Sequence, residues 1–213
     1  MAKSVHQRIW DSFPDNPDVD PKVYGERIFS SWKDVSSSLS RSVVLILGLI
    51  ALFELLAYQN SSHDFTIGPL SFTNTSTVQV FLPTIIAYVI YDGCHLTIRW
   101  MDLQAAYAAI IEKSYPAISE NDLDLLVAPV LPAFWAVGRR LSAQNSDRAE
   151  RFILPVKVSL AAITAIVLSG FEIQAYCHLF DRFGLRDILL WANTGVTILF
   201  LSCTIIYVAL SSD

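Results

Sequence analysis

Asp92 and His95 stand three residues apart inside Val78 to Trp100, VQVFLPTIIAYVIYDGCHLTIRW, a stretch otherwise apolar enough to lie in hydrocarbon. Thr84, Tyr88, Asp92, His95, Arg99 and Asp102 follow at steps of four, four, three, four and three. On a helix that spacing puts all six on a single stripe. A carboxylate and an imidazole on adjoining turns make a protonatable pair, able to hold a cation or pass a proton, with Arg99 one turn further on as counter-charge. The structural alternative binds Asp92 to Arg99 or to a neighbouring hydroxyl and leaves His95 satisfied at the membrane interface. Either way the stripe belongs against other helices or water, because an ionised carboxylate near the bilayer centre costs roughly 2.5–3.5 kcal/mol on insertion scales.

Two further carboxylates, Glu54 and Glu172, fall in the outer parts of two other apolar stretches at similar depth. They suit an external vestibule attractive to cations, a site holding a proton, or side chains reaching up to water. Asn193, with Thr194 and Thr197, adds polar groups to a fourth stretch. The ion-path candidates are therefore Tyr88, Asp92, His95, Arg99, Glu54, Glu172 and Asn193.

No enzyme signature accompanies them. The sequence holds no pair of histidines spaced around a glutamate, no glycine-flanked serine nucleophile, no phosphate loop and no dinucleotide fingerprint. His6, His63, His95 and His178 are scattered over different depths, and an outer metal set of His63, Asp64 and His178 requires two loops to meet without fixed spacing. Cys94, Cys177 and Cys203 all fall in apolar stretches, where cysteine behaves as a small hydrophobe. The expectation is a non-enzyme with no catalytic residue, cofactor or metal.

The elements that must position these groups follow from composition. Of 213 residues 53% are hydrophobic and 16% charged, against roughly 25% charged in soluble domains, which points to an integral membrane protein. A net charge of -5 offers no clustered basic surface and argues against a nucleic-acid partner. The expected fold is all-α, with four transmembrane helices, helical cytosolic extensions and a short external loop or hairpin.

Residues 1–41 form a polar N-terminal segment without a signal-peptide core next to the terminus. Val5, Ile9, Trp10 and Phe13 suggest a short amphipathic helix in it, and Val23, Ile28, Phe29, Trp32, Val35 and Leu39 a second that feeds into the membrane. Residues 42–100 hold spans one (42–58) and two (78–100) around an external loop at 59–77. In that loop Phe65, Ile67, Leu70 and Phe72 flank the turn pair Gly68-Pro69, and Asn60 and Asn74 head glycosylation tripeptides. Residues 101–151 form a helical cytosolic insertion. Its first helix carries Leu103, Ala106, Tyr107, Ile110 and Ile111 on one side and ends at Ser114 to Pro116. Its proline-broken run Leu123 to Val137 suits a cytosolic cap, an interfacial segment or a re-entrant one. Residues 152–210 hold spans three (152–177) and four (187–210), joined by a turn at Leu179 to Arg186, and 211–213 end the chain.

Charge placement orients this topology. Six basic residues precede span one, from Lys3 to Arg41, and seven lie from Arg99 to Lys157, whereas the external loops hold Arg182 and Arg186 alone of the fifteen. The positive-inside rule puts both termini in the cytosol, with the cell membrane the expected location. Two functions fit. One is a homo-oligomeric, channel-like or membrane-permeabilising subunit, because a single four-span bundle is too thin to enclose a wide aqueous path. The alternative is a membrane-anchored interaction module whose cytosolic helices bind a soluble protein partner. The lipid bilayer is a partner in both, and a transporter is a poorer third, since the spans show no internal repeat.

Overall fold

The computed structural model describes residues 21–58, 65–67, 70–72, 75–115 and 146–211. These form helix α1 (Pro21–Tyr58), strands β1 (Phe65–Ile67) and β2 (Leu70–Phe72), and helices α2 (Thr75–Ser114), α3 (Ser146–Phe183) and α4 (Ile188–Ser211). Four helices are long and apolar enough to cross a membrane, over Val23–Tyr58, Ser76–Ser114, Ile163–Phe183 and Ile188–Ala209. The expected segment 4–13, the glycosylation acceptors Asn60 and Asn74, the His63-Asp64 pair and the run 123–137 lie outside the described residues.

At 1.5 Å per residue, helices of 38, 40 and 38 residues overshoot a hydrocarbon layer of about 30 Å, whereas the 24 residues of α4 suffice for a single crossing. The helix ends have local causes. Pro21 opens α1, where its missing N–H is no loss. Tyr115, preceding Pro116, donates to the Ile111 carbonyl at 2.8 Å and closes the last turn of α2. Between α1 and α2 the strands pair antiparallel, with Phe65 opposite Phe72, Thr66 opposite Ser71 and Ile67 opposite Leu70, so a ladder forms about the expected turn.

The turn between α3 and α4 is shorter than the sequence suggests. Leu179 is fully buried and α3 runs on to Phe183, because its apolar face still has a core to cover there. Gly184, at φ 82°, then ends the helix with its N–H bonded to the Phe180 carbonyl at 2.9 Å, a left-handed conformation that glycine adopts without a Cβ penalty. Asp187 starts α4 by accepting the N–H groups of Leu189 and Leu190 at 2.8 and 3.2 Å through one carboxylate oxygen.

The chain divides into two compact units. The first, 1–41 and 95–155, packs the N-terminal part of α1 on the C-terminal part of α2. Ile28, Trp32, Val35 and Leu39 bury against Trp100, Ala106 and Ile110, with Phe29, Leu103 and Tyr107 alongside. The Trp32 ring lies 5.8 Å from that of Trp100 and 5.6 Å from that of Tyr107. Val23, expected on the same face, is exposed, so the packed stripe begins a turn later.

The second unit, 42–94 and 156–213, holds the rest of all four helices. Its core joins Phe53 and Leu56 of α1, Val80, Leu82 and Ile86 of α2, Phe171, Ala175, Tyr176 and Leu179 of α3, and Leu190 of α4. This core fills only the half nearest the Gly184 turn. Among the described residues none is buried over 42–52 of α1, 90–94 of α2, 163–170 of α3 or 198–209 of α4.

Candidate functional site

The buried polar groups of the second unit converge at the level where its helices close together. Two hydroxyls of α4 are satisfied locally: Thr194 and Thr204 donate back to the carbonyls of Leu190 and Phe200 at 2.8 and 2.9 Å. Thr84 and Thr197 instead turn between helices. The Tyr176 hydroxyl of α3 lies 2.6 Å from the Thr197 hydroxyl of α4. The Thr84 hydroxyl of α2 lies 3.1 Å from Thr197, 3.3 Å from Tyr176, and 3.3 Å from both the carbonyl and the side-chain Oδ1 of Asn193. Asn193 donates its amide N–H to the Leu189 carbonyl at 3.1 Å, which leaves Oδ1 to face Thr84.

Glu172 stands one turn from Tyr176 on the same face of α3, at the four-residue spacing that brings side chains together. It is 3% exposed, and neither carboxylate oxygen has a hydrogen-bond partner among the described residues. Phe171 and Glu172 are the first buried residues after 163–170, where none is buried, so Glu172 marks the border between the packed and unpacked parts of α3. Toward the other end of the core, the Arg182 guanidinium donates to the Gln79 side-chain carbonyl at 2.7 Å and joins α3 to α2.

The sequence candidates separate on this framework. Asn193 and Glu172 are buried, at 5% and 3% exposure. Glu54 is exposed, although its neighbour Phe53 meets Phe171 edge to face at 5.5 Å. Glu54 and Glu172 thus share a level, as expected from their depth, but not an environment: a step of one residue turns a helical side chain by about 100°, and Phe53 takes the core-facing position.

Tyr88 is 51% exposed, its ring edge-on to Phe200 of α4 at 5.5 Å. Asp92 is half-buried, and His95 and Arg99 are exposed. Within the second unit Leu82, Ile86 and Val89 hold the buried face of α2, and Tyr88 and Asp92 stand off it; His95 and Arg99 belong to the first unit.

The sequence reading placed Thr84 in the stripe and Thr197 inside span four, but singled out neither, and it passed over Tyr176, Gln79 and Arg182. The missed signal is the repetition of one spacing: Glu172 and Tyr176 are four apart, and so are Asn193 and Thr197. No family model matches the chain, and no curated protein or solved structure matches it either.

Proposed function

We propose that the chain is a subunit of a homo-oligomeric, channel-like membrane protein, with both termini in the cytosol and helices continuous with the spans controlling an ion path. The observation that carries this reading is the placement of the span-two stripe. In the single chain Tyr88, Asp92, His95 and Arg99 are all half-buried or exposed. A row of ionisable groups does not rest against lipid tails, so neighbouring copies or a water-filled path must cover it. A second feature agrees: the half of the membrane unit without buried residues leaves broad apolar helix surface for contact between copies. Because α1 and α2 run unbroken through both units, a rotation of the cytosolic helices turns the stripe without any change of fold.

The topology is tested by labelling single cysteines with a membrane-impermeant reagent in intact cells. A cysteine at Ser71 should react and one at Ser142 should not, and the reverse pattern rejects the orientation. The function is tested by reconstitution into planar bilayers. Discrete conductance steps are expected, with a cation preference that falls when Glu54 or Asp92 is neutralised. Silent bilayers from an oligomeric, inserted preparation, together with stoichiometric capture of a soluble protein by the cytosolic helices, would establish the interaction module instead.

A further inference from the structure

The interior of the membrane unit holds an excess of oxygen lone pairs over protons. Thr84, Tyr176, Thr197 and Asn193 make five oxygen-to-oxygen approaches of 2.6–3.3 Å, and the three hydroxyls bring one proton each. Asn193 enters these approaches only through its carbonyl oxygens, and one N–H of its amide donates to Leu189. Three protons serve at most three of the five approaches singly, so at least two share a proton or carry none. One turn away on α3 stands Glu172, almost wholly buried, with both oxygens unpartnered among the described residues. A buried carboxylate without hydrogen bonds or a counter-charge is among the costliest groups a protein can enclose. A proton alone would neutralise it and, turned to the cluster, would serve one of its lone pairs, whereas a cation meets several oxygens at once. A small cation answers both excesses.

We infer that Glu172, Tyr176, Thr84, Thr197 and Asn193 form a binding site for one dehydrated alkali cation, of sodium's size and charge. The donor set is oxygen throughout, which suits hard cations, and its single carboxylate matches one positive charge. Glu172 lies where the packed core begins, so a cation arriving from the unpacked half meets the carboxylate before the hydroxyl cluster. The site is internal to one chain; it takes Thr84 from the end of the stripe and uses none of Tyr88, Asp92 and His95. It therefore stands whether or not copies of the chain enclose a path.

The test uses the purified full-length protein in detergent. Thermal unfolding is followed as sodium, lithium or potassium replaces choline at constant ionic strength and pH. A ligand bound only by the folded state raises the midpoint, and sodium should raise it by about 5 °C at saturation. Glu172→Gln should abolish the rise, and Thr197→Val should shift the sodium concentration needed at least tenfold. A midpoint that responds to pH but not to alkali cations, or a sodium response that survives in Glu172→Gln, overturns the site. Should Glu172→Gln fail to fold, the wild type decides: sodium should slow modification of Glu172 by a hydrophobic carbodiimide, and a rate indifferent to sodium rejects the proposal. Silent bilayers beside a Glu172-dependent sodium response would remove the channel and leave the cation site standing.

Discussion

Replacing Trp32 with Ala is expected to cost about 3–5 kcal/mol of stability, the range for deleting a large ring from a packed core. Trp32 is 2% exposed and is the ring on which its unit converges, in contact with Trp100, Tyr107 and Phe29. On the proposed topology this unit faces water, so burial of the indole counts in full as hydrophobic stabilisation. The same truncation between spans would lose only packing, because lipid tails are as apolar as the core they replace. Val23→Ala, on the same helix but 48% exposed, should stay within about 0.5 kcal/mol. Thermal unfolding in detergent measures both, and limited proteolysis of 21–41 and 95–115 shows whether the loss is local to that unit. A cost below about 1 kcal/mol for Trp32→Ala would mean that these rings do not hold the unit together.

Asp92 should separate shape from charge. Asp92→Asn keeps the volume and the polarity, exchanges one acceptor oxygen for an N–H donor, and removes the charge. The oligomer should then survive while cation preference in bilayers drops. Asp92→Leu removes the reason for this face to avoid lipid, since a leucine there is favourable in hydrocarbon and a carboxylate is not. Association between copies is therefore expected to weaken at least tenfold, about 1.4 kcal/mol, as read from the subunit distribution at several detergent-to-protein ratios. If Asp92→Leu leaves both the distribution and the conductance unchanged, the stripe has neither role, and the polar residues of the spans serve only as contacts between helices.

Much of the framework was legible because it depends on local sums. Four apolar stretches long enough to cross a bilayer stand out from composition alone, and the four long helices of the structure coincide with them. The faces of the first unit were readable too: Ile28, Trp32, Val35 and Leu39 recur at helical spacing, as do Ala106 and Ile110, and all six are buried. The turn at Gly68-Pro69 follows from residue type, and β1 and β2 pair across it. In each case one element's own periodicity or turn chemistry carries the information.

Which polar residue of a span turns inward is a different kind of fact. Glu54 and Glu172 are alike in type and depth, yet one is exposed and the other enclosed, because Phe53 rather than Glu54 takes the core position opposite Phe171. The stripe of α2 was legible as a stripe, but spacing gives a face and not the direction in which it points. Leu82, Ile86 and Val89 hold the buried side, so Tyr88 and Asp92 fall elsewhere. The oxygen cluster shows this most clearly. Thr84, Tyr176, Asn193 and Thr197 come from three helices, with Tyr176 92 positions after Thr84, and only the packing of those helices sets their oxygens 2.6–3.3 Å apart. The sequence by itself determined the four long apolar stretches and the packed faces of α1 and α2 in the first unit, since these rest on the period of one chain segment. The tertiary structure alone decided that Glu172 is shut inside beside that cluster, since the relative rotation of neighbouring helices is set by side chains far apart along the chain.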